Sequence, residues 1–422
     1  MKILPETWYK VDNVAKVFLA SVTRRDPRVF RVSCTLDEEV DPALLDTALA
    51  RTAREYPQFQ VTLHRGLFWH YLESTDKQPH AVPETQPPCA AISGRELKND
   101  LLYRVSYYRD RINVEMFHAL SDGNGGMMFL QSLVGNYLRL KHPAELANVP
   151  GIHHASEEES GQDSFRQHYT GKGAGQEDPT NRKKVYRMRG LKLPYDQVQF
   201  FEGHLRVSEV LERARGMGVT LTSYLAAAQM LAVYREMPAL DRGRAVSVSL
   251  PVNLRNYYDS DTARNFFNSI RVSWVFEGSE TLETLARAFD GKLREALRSE
   301  NVMARMNGFE KLEHIPAVKP VPLFIKNVAV NIGNRLEANK VTLTLSNMGR
   351  IQVQEPLKPY IKGYCAYCSS PSLFTTVCSY EDDLVLGTTS AYRGTAVLKN
   401  FYRILADEGL HIRLEATEVQ LG

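Results

Sequence analysis

The chain has 422 residues, more than a single hydrophobic core usually holds, so two domains are expected. Hydrophobic residues make up 43% and charged residues 24%, the proportions of a globular protein. The net charge of +3 argues against a nucleic-acid-binding protein, and the one basic cluster, residues 181–189, is interpreted as a solvated face rather than an RNA-binding patch.

The N-terminal stretch MKILPETWYKVDN lacks the apolar centre of a secretory signal. No later apolar run reaches the roughly 18 residues that a membrane-spanning helix needs. We therefore expect a cytoplasmic protein with no integral membrane span.

The first third of the chain predicts strands around one well-marked helix. Asp41 can cap this helix, Pro42 suits its first turn and Pro57 ends it. A second helix is expected over residues 126–140, from its apolar periodicity. The predicted strands cover residues 29–36, 60–63, 67–72, 101–108 and 111–117.

A polar, glycine-bearing segment, residues 153–184, has no sustained period and is interpreted as a linker or mobile loop. The expected domains are therefore residues 1–152 and residues 185–422. His153 and His154 lie in this segment without a third ligand at useful spacing, so no metal site is predicted. In the second half, helices are predicted over residues 208–216, 222–236, 281–298 and 395–405, and strands over residues 245–250, 373–379 and 384–391.

The chain has five cysteines, an odd number that does not suggest a disulfide framework. Three of them, Cys365, Cys368 and Cys378, cluster near the end. They lack the fourth ligand of a structural zinc site. We interpret them as small apolar residues on or near buried strands, with zinc or redox chemistry as the alternative.

The sequence FHALSDGNGG, residues 117–126, joins a predicted strand to a predicted helix. His118 falls at or just beyond the strand's end. The glycines that follow permit positive φ or close backbone approach. Asp122 is interpreted as an architectural carboxylate that pins the loop and leaves His118 free. Candidate caps for the helix are Ser121, Asp122 and Asn124.

Other catalytic and phosphate-binding patterns do not fit this loop. A G-x-G-x-x-G motif that began at Gly123 would need glycine where Met128 stands, and no G-x-x-x-x-G-K-[ST] is present. The G-x-S-x-G elbow and H-E-x-x-H are also missing. A short H-x-x-x-D-G pattern arises by chance in some chains of this length, so a purely structural His118 stays an alternative to a catalytic one.

HALSDG, residues 118–123, resembles the HxxxDG motif of the chloramphenicol-acetyltransferase-like superfamily. Two further stretches are similar to family segments: SLPVNLRNYY, residues 249–258, which supplies an arginine, and LSNMGRI, residues 345–351, which carries an S-N-x-G pattern. The order and spacing of the motifs agree over nearly the whole chain. The bacterial alcohol-acetyltransferase-like group is the most similar branch, and it is related to plant BAHD acyltransferases and condensation domains.

The resemblance implies an α/β fold, an α+β sandwich of two chloramphenicol-acetyltransferase-like domains. Each domain would be a mixed sheet packed with helices, and the active-site tunnel would lie between them. His118 would be the general base, and Asp122 would pair with Arg255 to tie the halves together. Gly123 would permit the turn. Without the resemblance, Arg255 would be interpreted as a surface arginine after a strand.

At two points the sequence departs from motifs that particular branches of the family carry. Condensation domains and wax ester synthases usually carry HHxxxDG, whereas Phe117 stands before His118 here. The DFGWG motif of the plant enzymes is missing. Neither departure affects the histidine itself.

The implied reaction moves an acyl group from acyl-CoA, as co-substrate, to a small alcohol or amine acceptor, with no permanently bound cofactor. An imidazole with a pKa near neutrality can take the acceptor's proton, which is typically worth about 10²–10⁴ in rate. Ser346 and Asn347 are candidate donors to the oxyanion or candidate tunnel residues, and turn residues at a strand end are the alternative interpretation. No acyl-enzyme is required.

Two other functions stay open from the sequence. One is a condensing enzyme whose donor is a carrier protein. The other is a non-catalytic member that binds a carrier protein or a small ligand.

Overall fold

The structure is a computed structural model that describes residues 8–92, 100–151, 161, 163–171, 178–194, 197–310 and 320–417. His153 and His154 lie outside these described residues.

Helices and strands follow the predicted order along the chain. The helices are α1 (Asn13–Ser21), α2 (Pro42–Glu55), α3 (Gly123–Lys141), α4 (Pro143–Leu146), α5 (Ser164–Gln167), α6 (Val207–Gly216), α7 (Leu221–Arg235), α8 (Leu282–Ala296), α9 (Ser299–Glu310), α10 (Leu323–Ala338) and α11 (Ala396–Asp407). The strands are β1 (Trp8–Lys10), β2 (Val29–Leu36), β3 (Val61–Arg65), β4 (His70–Ser74), β5 (Ala81–Pro83), β6 (Tyr103–Tyr108), β7 (Arg111–Phe117), β8 (Gln199–Arg206), β9 (Val246–Asn253), β10 (Phe267–Trp274), β11 (Leu343–Arg350), β12 (Ile361–Cys368), β13 (Leu373–Tyr380), β14 (Asp383–Ser390) and β15 (Arg413–Ala416). The predicted helices and strands are all confirmed, to within a few residues at their ends.

The first lobe is built on a five-stranded sheet in the order β12-β2-β7-β6-β5. Its neighbours are antiparallel except for β5 and β6, which run parallel. Helices α2 and α3 pack on each other and against the sheet. The apolar faces that the sequence predicts, represented by Leu45, Phe129, Val32 and Val114, are fully buried in this core.

The second lobe is built on a seven-stranded sheet in the order β10-β9-β11-β13-β14-β8-β15. Strand β11 runs parallel to both β9 and β13, and the other neighbours are antiparallel. Helix α7 is buried over most of its length, between α8, α11 and β9. Each lobe is therefore a mixed sheet packed with helices, as the resemblance implies.

One strand crosses between the lobes. β12 belongs to the half of the sequence assigned to the second domain, but it pairs with β2 and completes the first sheet. In the other direction, Val14 of α1 is buried in the core of the second lobe. The expected boundaries at residues 152 and 185 therefore separate two parts of the sequence, but each of the two lobes contains residues from both parts.

Part of the predicted linker is packed rather than loose. Within its described residues, Phe165 is buried, and its ring lies edge-on to Phe266 with 5.3 Å between centroids. The side chain of Asn181 donates a 3.1 Å hydrogen bond to the carbonyl of Arg271. These contacts attach the described part of the segment to the second lobe.

A small third sheet, in the order β1-β4-β3, is not hydrogen-bonded to the two large ones, and Val61, Leu63 and Leu72 from it are buried in the core of the first lobe. Helix α10 packs against α1 near this sheet, and the backbone N–H of Leu323 donates to the carbonyl of Leu67. Within the described ranges no single helix has both the length and the apolarity to cross a bilayer, and only the pair α6 and α7, bent by 83°, meets that test jointly.

Candidate active site

His118 lies immediately after β7, at the end of the strand. Its backbone N–H donates to the carbonyl of Arg28, and its carbonyl accepts from the side chain of Asn265 at 2.9 Å. Arg28 immediately precedes β2 of the first lobe, and Asn265 immediately precedes the second-lobe residue Phe266. The backbone N–H of His118 is therefore held by the first lobe, and its backbone carbonyl is held by the second.

The hydrogen bond at Nδ1 determines the tautomer of the imidazole. Nδ1 lies 3.2 Å from the carbonyl oxygen of Ser121. A carbonyl oxygen only accepts, so Nδ1 carries the proton and Nε2 of the neutral ring keeps its lone pair. This is the protonation state that a general base requires.

Aromatic rings surround the imidazole. Phe18 of α1 stacks on it with 4.6 Å between centroids, and Phe30 of β2 lies 4.7 Å away at a tilt of 49°. Burial among these groups lowers the pKa of His118 from 6.5 to about 4, although the charge on Asp122 raises it in part. The expectation of a pKa near neutrality was wrong, because the sequence does not reveal this desolvation.

The buried thiol of Cys368 lies beside Nε2 of the ring. Its Sγ is 3.7 Å from Nε2 of His118. Burial raises the pKa of this thiol well above its ordinary value, so it is uncharged at neutral pH. The five cysteines are all buried and free, which agrees with their interpretation as small core residues.

Asp122 is the N-cap of α3 and also a bridge between the lobes. One carboxylate oxygen accepts from the backbone N–H of Gly125 at 3.0 Å. The other accepts from Nη1 of Arg255 at 2.9 Å and from the backbone N–H of Phe266 at 2.8 Å. Because both oxygens are engaged in this way, Asp122 is not a direct hydrogen-bond partner of His118.

Arg255 lies in the short 3-10 helix Leu254–Asn256 that follows β9. Besides Asp122, its guanidinium donates to the carbonyls of Thr262 and Arg264 at 2.7–3.0 Å. Its side chain is 11% exposed and that of Asp122 is 4% exposed. The pair that the resemblance implies is therefore present, and it is buried.

The glycines of the motif serve packing rather than an unusual turn. Helix α3 starts at Gly123, three residues before the predicted start, and Gly123 is not among the described glycines with positive φ. A Cβ on Gly123 would make ordinary contact with Met348 at 3.5 Å, so the turn does not need glycine there. A Cβ on Gly125 would collide with the carbonyl of Ala263, and one on Gly126 with the ring of Phe30.

Ser346 and Asn347 lie on β11 and face opposite sides of it. Asn347 is on the side of the buried Leu345, and its amide donates to the hydroxyl of Thr222 at the start of α7. Ser346 is on the side of Thr376, its partner on β13, whose hydroxyl donates to the carbonyl of Ala366 in β12 of the first sheet. The two side chains therefore do not converge on one oxyanion, and Ser346 is the one that faces the seam between the lobes.

Two clefts open beside this loop. The larger, about 590 Å³, is lined by residues of α3 and by residues 348 and 350–354. The smaller, about 460 Å³, is lined by Met128 and residues 255–261. Arg255 borders both, but His118 lines neither. The tunnel that the resemblance implies is therefore not one of these two clefts and stays a prediction.

Sequence reasoning missed the residues that surround the imidazole. Phe18, Phe30 and Cys368 come from α1, β2 and β12. No local pattern links them to His118, because they meet it only through tertiary packing. The cysteine cluster was noticed, but its spacing suggested only zinc, redox chemistry or core packing.

No family model and no curated protein sequence matches the chain. Solved structures do match it, at low identity. Trichothecene 15-O-acetyltransferase from Fusarium sporotrichioides aligns with TM-score 0.63 and 13% identity over 96% of this chain and 94% of its own. Polyketide synthase associated protein 5 from Mycobacterium tuberculosis aligns with TM-score 0.61 and 15% identity over 94% of this chain and 96% of its own.

A third match is the starter condensation domain of rhizomide synthetase, with TM-score 0.58 and 12% identity over 95% of this chain and 94% of its own. All three likenesses extend over almost the full length of both partners. The chain therefore has the same two-lobed fold as these three solved structures.

Proposed function

We propose that this protein transfers an acyl group from acyl-CoA to the hydroxyl of an alcohol acceptor, or to an amine, with His118 as general base. The observation that carries the proposal is the neutral imidazole whose Nδ1 is held by the carbonyl of Ser121, which leaves the lone pair of Nε2 for the acceptor's proton. The likeness to an O-acetyltransferase supports acyl transfer as the reaction class.

The proposed reaction is a direct displacement. The acceptor hydroxyl donates its proton to Nε2 of His118 while its oxygen forms a bond to the thioester carbonyl carbon. The tetrahedral intermediate then collapses, the carbon–sulfur bond breaks, and the proton on Nε2 passes to the departing thiolate. The imidazole is neutral again after one turnover, and no acyl-enzyme forms.

Cys368 constrains how the acceptor approaches. Its thiol lies 3.7 Å from Nε2, so the acceptor's hydroxyl has to replace that thiol as the partner of this nitrogen. The high pKa of the thiol opposes a role as nucleophile. Ser346 is the proposed donor to the oxyanion, because it faces the seam, whereas Asn347 is bonded to Thr222 on the far side.

A condensing enzyme that takes its acyl group from a carrier protein is the second candidate. The likeness to the starter condensation domain of rhizomide synthetase favours it, and that domain was solved in complex with C8-CoA and Leu-SNAC. The same base would serve either donor, so only the donor distinguishes the two functions. A non-catalytic member that binds a ligand is the remaining alternative.

The test is release of free thiol from acyl-CoA. Purified protein is incubated with acetyl-CoA and longer acyl-CoAs, with and without pooled alcohols and amines. The expected result is acceptor-dependent thiol release that falls by roughly 10²–10⁴ in His118→Ala. Cys368→Ala serves as the matched variant and should retain acceptor-dependent release, because the thiol only contacts the base.

The outcomes separate the candidates. Loss of activity in Cys368→Ala, together with a protein-bound acyl group by mass spectrometry, would replace direct transfer with an acyl-enzyme. Release only from an acylated carrier protein would favour the condensing enzyme. No release from any thioester, with folded protein, would favour a binding role.

A further inference from the structure

Helix α10 presents its polar side to the protein and its apolar side to solvent, the reverse of an ordinary surface helix. The side that meets the body of the protein is mainly polar: Asn331 donates to the carbonyl of Ala20 at the end of α1, and Lys326 to the carbonyl of Phe68. Its opposite side is apolar and open to solvent, with each large side chain 47–60% exposed. These side chains are Phe324, Ile325, Val328, Ile332 and Leu336.

The tip of the β3–β4 hairpin continues this apolar side. Leu67 is 70% exposed and Trp69 is 52% exposed. The hairpin tip and the helix are joined where Leu323 donates to the carbonyl of Leu67. We call the five exposed side chains of α10, together with Leu67 and Trp69, the outward face. A surface helix normally buries its apolar side, so the outward face indicates a partner surface.

The charges around the outward face are mainly positive. Arg335 is exposed at the C-terminal end of α10, and Arg65 is exposed beside the hairpin tip. The one acidic residue of α10, Glu337, is bonded to Lys340. The rim of the outward face therefore carries a basic excess that would attract an anionic surface.

We propose that the outward face docks the protein onto an anionic lipid bilayer. Large apolar side chains with a basic rim on one helix are the features of an interfacial amphipathic helix. Trp69 is of the residue type that settles at the headgroup level. A second copy of this chain fits less well, because a two-fold interface would place the two basic rims against each other.

Two helices connect the outward face to the candidate active site. Helix α10 packs on α1, and Phe18 of α1 stacks on His118. The outward face is on the side of α10 that points away from α1, so both helices lie between this face and the imidazole.

The test is flotation with vesicles, which needs no activity. The full chain is mixed with vesicles of phosphatidylcholine alone and with vesicles of phosphatidylcholine and phosphatidylglycerol. The expected result is binding to the anionic vesicles that weakens with added salt and falls about tenfold or more in Val328→Glu/Ile332→Glu. His118→Ala should bind like the unmodified protein, so failure of the catalytic proposal leaves this test intact.

The matched control is Leu191→Glu/Leu240→Glu, which adds the same charge at two side chains that are 76% and 100% exposed elsewhere. This control should bind vesicles normally. Trp69 gives a second readout: its fluorescence should shift to shorter wavelength on binding, and the shift should shrink in Trp69→Phe. The fluorescence shift of Trp69 tests binding to the bilayer even where the glutamate variants fold poorly.

Three results would overturn the proposal. The first is that the protein floats with neither kind of vesicle, and the second is that both double variants lose binding equally. The third is a dimer in sedimentation that only Val328→Glu/Ile332→Glu dissociates, which would mean that a second copy covers the outward face.

Discussion

His118, the general base of the proposed reaction, has a protonation state that depends on its surroundings. Burial lowers the pKa of its imidazole to about 4, so the neutral form that can accept a proton prevails throughout the neutral range. As the pH falls through that pKa, the ring gains a proton and the lone pair of Nε2 is lost. We predict that kcat/KM for acyl transfer stays flat from neutral pH down to roughly pH 5 and falls below it.

The matched variant for this pH profile is Phe18→Ala. It removes the ring stacked on the imidazole, admits water and should move the acid limb upward toward the ordinary pKa of 6.5. An acid limb already near 6.5 in the unmodified enzyme, with no movement in Phe18→Ala, would mean that the imidazole is solvated during turnover.

Arg255 is predicted to hold the site together rather than to touch substrate. Arg255→Ala leaves the buried carboxylate of Asp122 without its cationic partner and frees the carbonyls of Thr262 and Arg264. Removing one partner of a buried pair costs about 3–5 kcal/mol. We expect a loss of that order in the free energy of unfolding, measured by urea denaturation.

An exposed ion pair provides the comparison for Arg255. The side chains of Arg287 and Glu283 on α8 are 60% and 51% exposed, so Arg287→Ala should change the free energy of unfolding by less than about 1 kcal/mol. If Arg255→Ala proved as stable and as active as the unmodified protein, the structural role of the Asp122–Arg255 pair would be refuted.

At the scale of elements, the start of α3 depends on close approach of the second lobe. A Cβ on Gly125 would collide with the backbone carbonyl of Ala263, which cannot move aside like a flexible side chain. We predict that Gly125→Ala lowers the free energy of unfolding by about 1–3 kcal/mol. Gly291→Ala in α8, where a Cβ meets nothing within 4 Å, should instead raise it by roughly 0.5–1 kcal/mol. Equal effects in urea denaturation would rule out the collision.

The elements that sequence predicted are those with a clear period or a clear cap. Helix α2 has Asp41 and Pro42 at its start, and β2 appears with its predicted ends. Strand β12, IKGYCAYC, was not predicted, because seven of its eight residues are buried and no alternation appears. Helix α10 was also missed, and its N-cap residue, Pro322, supplies no side-chain cap that would have marked its start.

For the candidate site, the sequence predicted the features that depend on neighbouring residues and missed those that depend on tertiary contacts. The strand–loop–helix corner and the cap at Asp122 follow from local sequence. The partnership of Asp122 with Arg255 came only from the family resemblance, because 133 residues separate the two. The lowered pKa of His118 was not predictable, since rings from three other elements produce it.

At the scale of the whole molecule, a buried carboxylate links the two sheets. Glu202 belongs to β8 of the second sheet, but it accepts from Arg111 of β7 at 2.6 Å and from the hydroxyl of Tyr367 of β12 at 2.6 Å. Burial would raise the pKa of Glu202, but hydrogen bonds from His204 and Arg111 hold that pKa well below its usual range. The negative charge of Glu202 is therefore kept by His204 of its own strand and by Arg111 and Tyr367, whose contacts cross the seam between the lobes.

The crossing strand and this carboxylate should make the two lobes unfold together. We predict that Arg111→Met, which removes the cation across the seam and leaves Glu202 with His204 and Tyr367, lowers the free energy of unfolding by about 1.5–3 kcal/mol. The double variant Arg111→Met/Glu202→Gln should lose less than Arg111→Met alone, because the neutral amide needs no cation. Circular dichroism and tryptophan fluorescence should report a single coincident urea transition in each protein. Two separate transitions in the unmodified protein would mean that the lobes are independent, because a shared strand and a shared buried charge cannot persist in one lobe after the other has unfolded.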